Sequence, residues 1–353
     1  MDTSGARQRG TPLQNLAALV IVIAGLKVAA SMVTLLLISL FIALTSAPAV
    51  LLLQRKRVPP VLAALIVLLV VVSILSAFGA VLGTTTNSFV RALPGYRAQV
   101  NDELAASLTW MNERGLDLSA LNLMDTLEPG SIMSIAGNIF TAIGGLLGNS
   151  LVIILVVVFI LLEVPGFAAK FRAAFPHSEN TMQQMGRIAN NVVNYLGLKT
   201  LVSAFTGLLA GGLVAVVGVD FALLWGLLAF LLNYIPTFGS IIAALPPVML
   251  ALVQFGVGPA AAVGIGYLVI NFVMGSVIEP RIMGRSMGLS TLVVFLSLLA
   301  WGWVLGTAGM FFAVPLTMAL KIGLETDPDT RWLAVLMGPE PKPTPPAEER
   351  AGA

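Results

Sequence analysis

Five stretches of this chain, residues 15–30, 31–53, 59–83, 147–164 and 198–219, are nearly unbroken runs of apolar side chains. Each is about as long as the roughly 17–25 residues that a bilayer-crossing helix needs. In lipid every backbone N–H and C=O must be satisfied internally, so such runs form helices rather than open strands. Composition agrees: 58% of the 353 residues are hydrophobic and 10% are charged, against about a quarter charged in soluble domains. The fold class expected is an all-α polytopic membrane protein with about six full spanning helices.

Charge sets the expected topology. Of the 19 basic residues, all but Lys27, Arg91, Arg97 and Arg114 fall on one side if Arg7 and Arg9 are cytoplasmic and the runs cross alternately. That asymmetry is the positive-inside pattern. It puts both termini in the cytoplasm of a multi-pass inner-membrane protein, with Arg55, Lys56 and Arg57 on the same side. Five regions follow: a three-helix membrane region (1–83), an extracytoplasmic helical insertion (84–146), a fourth span with a cytoplasmic amphipathic linker (147–196), a core (197–324) and a disordered Pro-rich tail (325–353). The first apolar run lacks a small-residue cleavage site after it and is expected to be retained.

Two segments of the core are broken. In "AFLLNYIPTFGS" (229–240), Asn, Tyr and Pro interrupt an apolar run; "LLAWGWVLGTAGMFFAVP" (298–315) is interrupted around Gly306. The apolar pieces at 221–232 and 240–254 are short, in or near the range where a dipping segment is favoured over a full span. "FGSIIAALPPVMLAL" and "AGMFFAVPLTMAL" also share a glycine, paired bulky residues, Ala and Pro in one order. We read two repeats, 197–255 and 258–324, each one span plus a broken helical hairpin. No Lys or Arg lies between Thr200 and Pro280. The first hairpin therefore dips from outside and the second from inside, forming an inverted repeat with re-entrant hairpins. Broken helices of that kind build midplane binding sites in secondary transporters; Pro and Gly that merely kink a span are the plainer alternative.

The candidate substrate-binding residues are Asn233, Pro236, Thr237, Gly239 and Ser240 at the first tip, Asn271 across the bundle, and Trp301, Gly306, Thr307 and Gly309 at the second. Amides and hydroxyls suit a neutral polar cargo, and Pro236 frees a carbonyl by lacking an N–H. Asn233 could instead only join helices. Glu279, Pro280 and Arg281 form the most polar stretch of the carboxyl-terminal half, read as a coupling or gating group for H+ or Na+, or as a boundary ion pair; Glu163 is a second acidic candidate. Lys27 snorkels. A chain with no cysteine and one histidine, His177, offers no metal cluster, Cys nucleophile or Ser-His-Asp constellation. No phosphate-binding loop is present. We expect no enzyme, cofactor or metal, and no nucleic-acid partner, because the basic residues are dispersed.

"WGLLAFLLNYIPTFGSIIAALPP", "FILLEVPGFAAKF" and "NFVMGSVIEPRIMGRSMGLSTLVVFLSLLAWGWVLGTAGMFFAVPLT" resemble the autoinducer-2 exporter family, the PerM-type permeases. The resemblance implies a homo-oligomer in the bacterial inner membrane, surrounded by lipid, that exports a small polar signal derived from dihydroxypentanedione and so affects quorum sensing and biofilm formation. Some relatives resemble Na+(Li+)/H+ antiporters, which keeps ion exchange as an alternative. A non-transporting scaffold whose 84–146 insertion binds a partner is the third reading.

Overall fold

The computed structural model describes residues 12–113, 150–174, 179–283, 288–326 and 329–339. Every regular element among them is helical: α1 (Pro12–Val28), α2 (Ala30–Arg55), α3 (Pro60–Glu113), α4 (Ser150–Ala174), α5 (Glu179–Val217), α6 (Ala222–Leu232), α7 (Phe238–Phe255), α8 (Val257–Asn271), a π-helical segment (Phe272–Ile278), α9 (Glu279–Met283), α10 (Thr291–Thr326) and α11 (Arg331–Leu336). Six stretches are long and apolar enough to cross a membrane, in α2, α3, α5, α7, α8 with its π extension, and α10. The chain is an all-α polytopic membrane protein.

One sequence expectation changes. Runs 15–30 and 31–53 are not antiparallel spans: α1 meets α2 through Ala29 alone, at φ −87° and ψ 11°. The hydrogen-bond ladder continues across it, from Ala29 N–H to Gly25 O and from Val33 N–H to Ala29 O, both 2.9 Å. "KVAA" contains no Gly, Pro, Asn, Asp or Ser, so the helix bends without reversing. Two crossings before Arg55 would put the amino terminus and Arg55 on one side; a single bent helix removes that argument. Residue 84, where the sequence places the start of the insertion, lies within α3, which continues through Pro94 to Glu113. The rest of the expected insertion, to 146, and His177 lie outside the described residues.

A first cluster joins α2, α3 and α4 through small residues, with Ala43 and Ala63 packed near Val157 and Leu161. A second centres on Trp225 of α6, fully buried, with Phe89 of α3 edge-on at 5.3 Å. Here α5 and α6 approach backbone to backbone. A Cβ on Gly207 would lie 2.6 Å from Gly226 O, and one on Gly226 would lie 2.8 Å from Gly207 O. With Gly211 also against Gly226, the "GLLAG" of α5 is a small-xxx-small contact face.

α6 and α7 form the first hairpin. Its base is closed at Asp220, whose Oδ2 accepts from Gln254 Nε2 and from Tyr96 OH, each at 2.6 Å. Its tip, at 233–237, lies beside Thr200 and Ser203. The second hairpin is α10 folded on itself at Gly306. Residues 301 and 317 would stand about 24 Å apart along a straight helix, yet Trp301 Nε1 donates to Thr317 Oγ1 at 3.0 Å. Its base is held where Lys321 Nζ donates to Gly288 O at 2.7 Å and Ser290 N–H to Met337 O at 2.9 Å.

α5 fixes how the hairpins sit. The first starts from the Val217 end of α5, while Val314 and Met318 of the second pack on Tyr195 and Leu196, toward the opposite end. The two hairpins therefore enter the bundle from opposite ends.

Candidate functional site

α6 stops where Pro236 can no longer supply an N–H. Phe238 N–H donates to Pro236 O at 2.7 Å across Thr237, which sits at φ 65° and ψ −57°. That is a γ-turn of the rare, strained hand. A β-branched residue at positive φ is an outlier, and such strain costs about 1–3 kcal/mol. The turn is held by its neighbours. Asn233 Nδ2 donates to Ser203 Oγ at 2.9 Å, Tyr234 OH donates to Thr200 Oγ1 at 2.7 Å, and Ser240 Oγ donates to Thr237 O at 3.1 Å. Thr237 itself is exposed.

The second tip turns on one residue, Gly306, at φ 67° and ψ −149°. The two hairpins share one backbone feature. A Cβ on Gly239 would fall 1.7 Å from Leu232 O, and one on Gly309 would fall 1.9 Å from Trp301 O. In each hairpin the returning helix crosses the departing one at a glycine that no other residue can replace without movement.

The tips pass each other. Tyr234 stacks on Phe311 at 4.3 Å, and Phe238 lies 5.9 Å from Phe295, so the first tip rests on the shaft of the second hairpin. Phe41 of α2 completes the aromatic contact against Tyr234, Phe311 and Phe312. Gly306 and Thr307 are exposed, and nearby Trp303 carries Lys27 Nζ 3.7 Å from its ring centroid. Trp301 is occupied in holding the two arms of its own hairpin. Ser240 is bonded to Thr237 at the first tip, Asn233 is turned onto α5, and Gly306 and Thr307 lie exposed at the turn of the second hairpin.

The acidic candidates separate as well. Glu279 pairs with Lys199 Nζ at 2.7 Å, the side chains 15% and 4% exposed, while Arg281 points outward, exposed. Their spacing around Pro280 suggested a local pair; helical geometry puts residues i and i+2 on different faces. Glu163 bonds Lys170 on α4, both side chains exposed, far more solvated than Glu279. Asn271 ends α8, immediately before the π-helical segment.

Sequence reasoning missed Lys199, Thr200, Ser203 and Tyr234. Lys199, Thr200 and Ser203 stand at i, i+1 and i+4 on a helix, close enough to share a face. A polar stripe opening an apolar run was the available signal. The Asp220–Tyr96–Gln254 clasp had none, because its members come from three separate regions.

The family model for the AI-2E family transporter matches residues 16–327. The AI-2 transport protein TqsA of Escherichia coli K12 is 41% identical over 319 residues, covering 90% of this chain and 93% of that protein. A Haemophilus influenzae protein is 39% identical over 333 residues, 92% and 95% of the two chains. YhhT of Escherichia coli K12 is 36% identical over 327 residues, 93% and 94%. This family consists of transport proteins and not enzymes. With its bundle of apolar helices and two opposed hairpins, the chain belongs to the AI-2E family of membrane transporters.

Proposed function

We propose that this transporter exports a small, uncharged, hydroxylated signal of the autoinducer-2 kind across the bacterial inner membrane, and so influences quorum signalling and biofilm formation. The observation that carries the reading is the first tip: a strained, exposed Thr237 flanked by Asn233 and Ser240, with no charged side chain in the turn. Amide, hydroxyl and freed backbone groups bind polyols without the cost of a buried charge. The likeness to TqsA, itself named an AI-2 transport protein, supports a cargo of that class. In this reading the hairpins are re-entrant, the Lys321 end faces the cytoplasm, and the apolar exterior meets lipid and further copies of the chain.

Efflux of labelled autoinducer-2 from proteoliposomes tests it, with and without proton or sodium gradients. The wild type empties vesicles of the signal and Asn233→Ala slows it severalfold or more. Efflux no faster than from protein-free vesicles would refute the proposal.

One observation favours a second reading, Na+/H+ exchange: Glu279 is a half-buried acid in an apolar bundle, and acids in spanning segments mark ion pathways. Proton movement on adding sodium, abolished in Glu279→Gln, without signal flux, would select it.

A further inference from the structure

Lys199 and Glu279 are joined across 80 residues of sequence, and the helix face carrying Lys199 also carries both polar contacts of the first tip. Thr200 takes the Tyr234 hydroxyl and Ser203 takes the Asn233 amide. Whatever moves Lys199 moves the surface on which the tip rests. Glu279 reaches that surface through an unusual element: it follows a seven-residue π-helical segment, and its N–H donates to Met274 O, five residues back. A π turn holds one residue more than an α turn and is frequent at functional sites. Resolving it to α geometry would swing the following residue by about 100° around the helix axis.

We propose that the Lys199–Glu279 pair is a latch of the transport cycle, closed in this structure and opened by protonation of Glu279, with the Phe272–Ile278 segment as its hinge. This deepens the transporter reading, and both residues act as positioning residues. Neutral Glu279 leaves Lys199 as a buried cation without its counter-charge, a strongly unfavourable arrangement. Relief comes when Lys199 moves out and the α5 face lets go of Asn233 and Tyr234. Other ionisable groups near the pair are few. Among the described residues, α5 also carries buried Tyr195, the first tip adds Tyr234, bonded to Thr200 beside Lys199, the π-helical segment FVMGSVI has no ionisable side chain, and α9 itself adds only exposed Arg281.

The experiment needs no cargo, so its failure is distinct from failure of the export reading. The chain has no cysteine, and Ser203 is fully buried beneath the tip. A Ser203→Cys reporter is therefore labelled with a small membrane-permeant maleimide in membrane vesicles, and its rate, divided at each pH by that of the exposed Val257→Cys to cancel the thiol's own ionisation, reads tip release. In the parent pair, labelling accelerates as pH falls. Adding Glu279→Gln speeds it at neutral pH by on the order of a hundredfold. The double change Lys199→Met with Glu279→Leu removes both charges, restores slow labelling and abolishes the pH response. A structural pair would give no pH response while the protein stays folded. Labelling independent of pH in the parent, or the same pH response in the double variant, overturns the latch; this comparison stands even if Glu279→Gln fails to fold.

Discussion

The two hairpins are built on one plan and differ at their tips. Each crosses itself at a glycine, Gly239 or Gly309, pressed against a carbonyl of the departing helix. The first then uses five non-helical residues, 233–237, pinned to α5 by two side-chain hydrogen bonds and containing a strained threonine. The second turns on Gly306 alone, and its tip residues are exposed. Duplicated backbone geometry thus carries unequal chemistry: the first tip holds the polar groups, and the second supplies an aromatic wall, Phe295 and Phe311, for it to rest on.

The largest test of this asymmetry is charge removal beside the first tip. Lys199→Met leaves the half-buried Glu279 without its counter-charge and should cost up to about 3 kcal/mol, the low end for breaking a buried pair, most of it regained in Lys199→Met with Glu279→Leu. Thermal unfolding in detergent measures both, and a single variant as stable as the parent would deny that the pair is buried.

The shared plan is tested by Gly239→Ala and Gly309→Ala. Both Cβ atoms meet backbone oxygen at under 2 Å, so each should lose about 1–3 kcal/mol, as overpacking does. Unequal losses would separate the hairpins more deeply than their tips. A smaller effect of opposite sign belongs to Thr237→Gly. Releasing the positive-φ strain should stabilise by about 1 kcal/mol while slowing transport severalfold, and unchanged flux would remove Thr237 from the site. Smallest is Thr317→Val, which takes the acceptor from Trp301. About 0.6 kcal/mol is expected for one bond between apolar helices, with transport unchanged.

Much of this fold was legible because lipid permits so few solutions. Apolar run length located most of the helices, and Asn233, Pro236 and Gly306 located the breaks. Run length alone could not say whether 15–30 and 31–53 reverse at their junction; the missing turn chemistry around Ala29 was the better guide. Asn233 was visible as an amide in an apolar run, but not its partner Ser203, since that depends on how α5 and α6 pack at Gly207 and Gly226. Lys199 looked like a boundary residue for the same reason: its partner is brought from a distant helix by a π-helical turn that no residue in "FVMGSVI" announces. The strained Thr237 contradicts local preference, which would favour glycine at positive φ, and such a conflict is expected where function is served.

Everything proposed for the tips depends on hairpins that enter from opposite faces, and side-specific labelling tests that most directly. Single cysteines replace exposed Val257, next to the base of the first hairpin, and exposed Leu336, beside the base of the second. With a membrane-impermeant maleimide on oriented vesicles, Val257→Cys should react only from the extracytoplasmic face and Leu336→Cys only from the cytoplasmic face. Reaction of both from the same face would contradict the account.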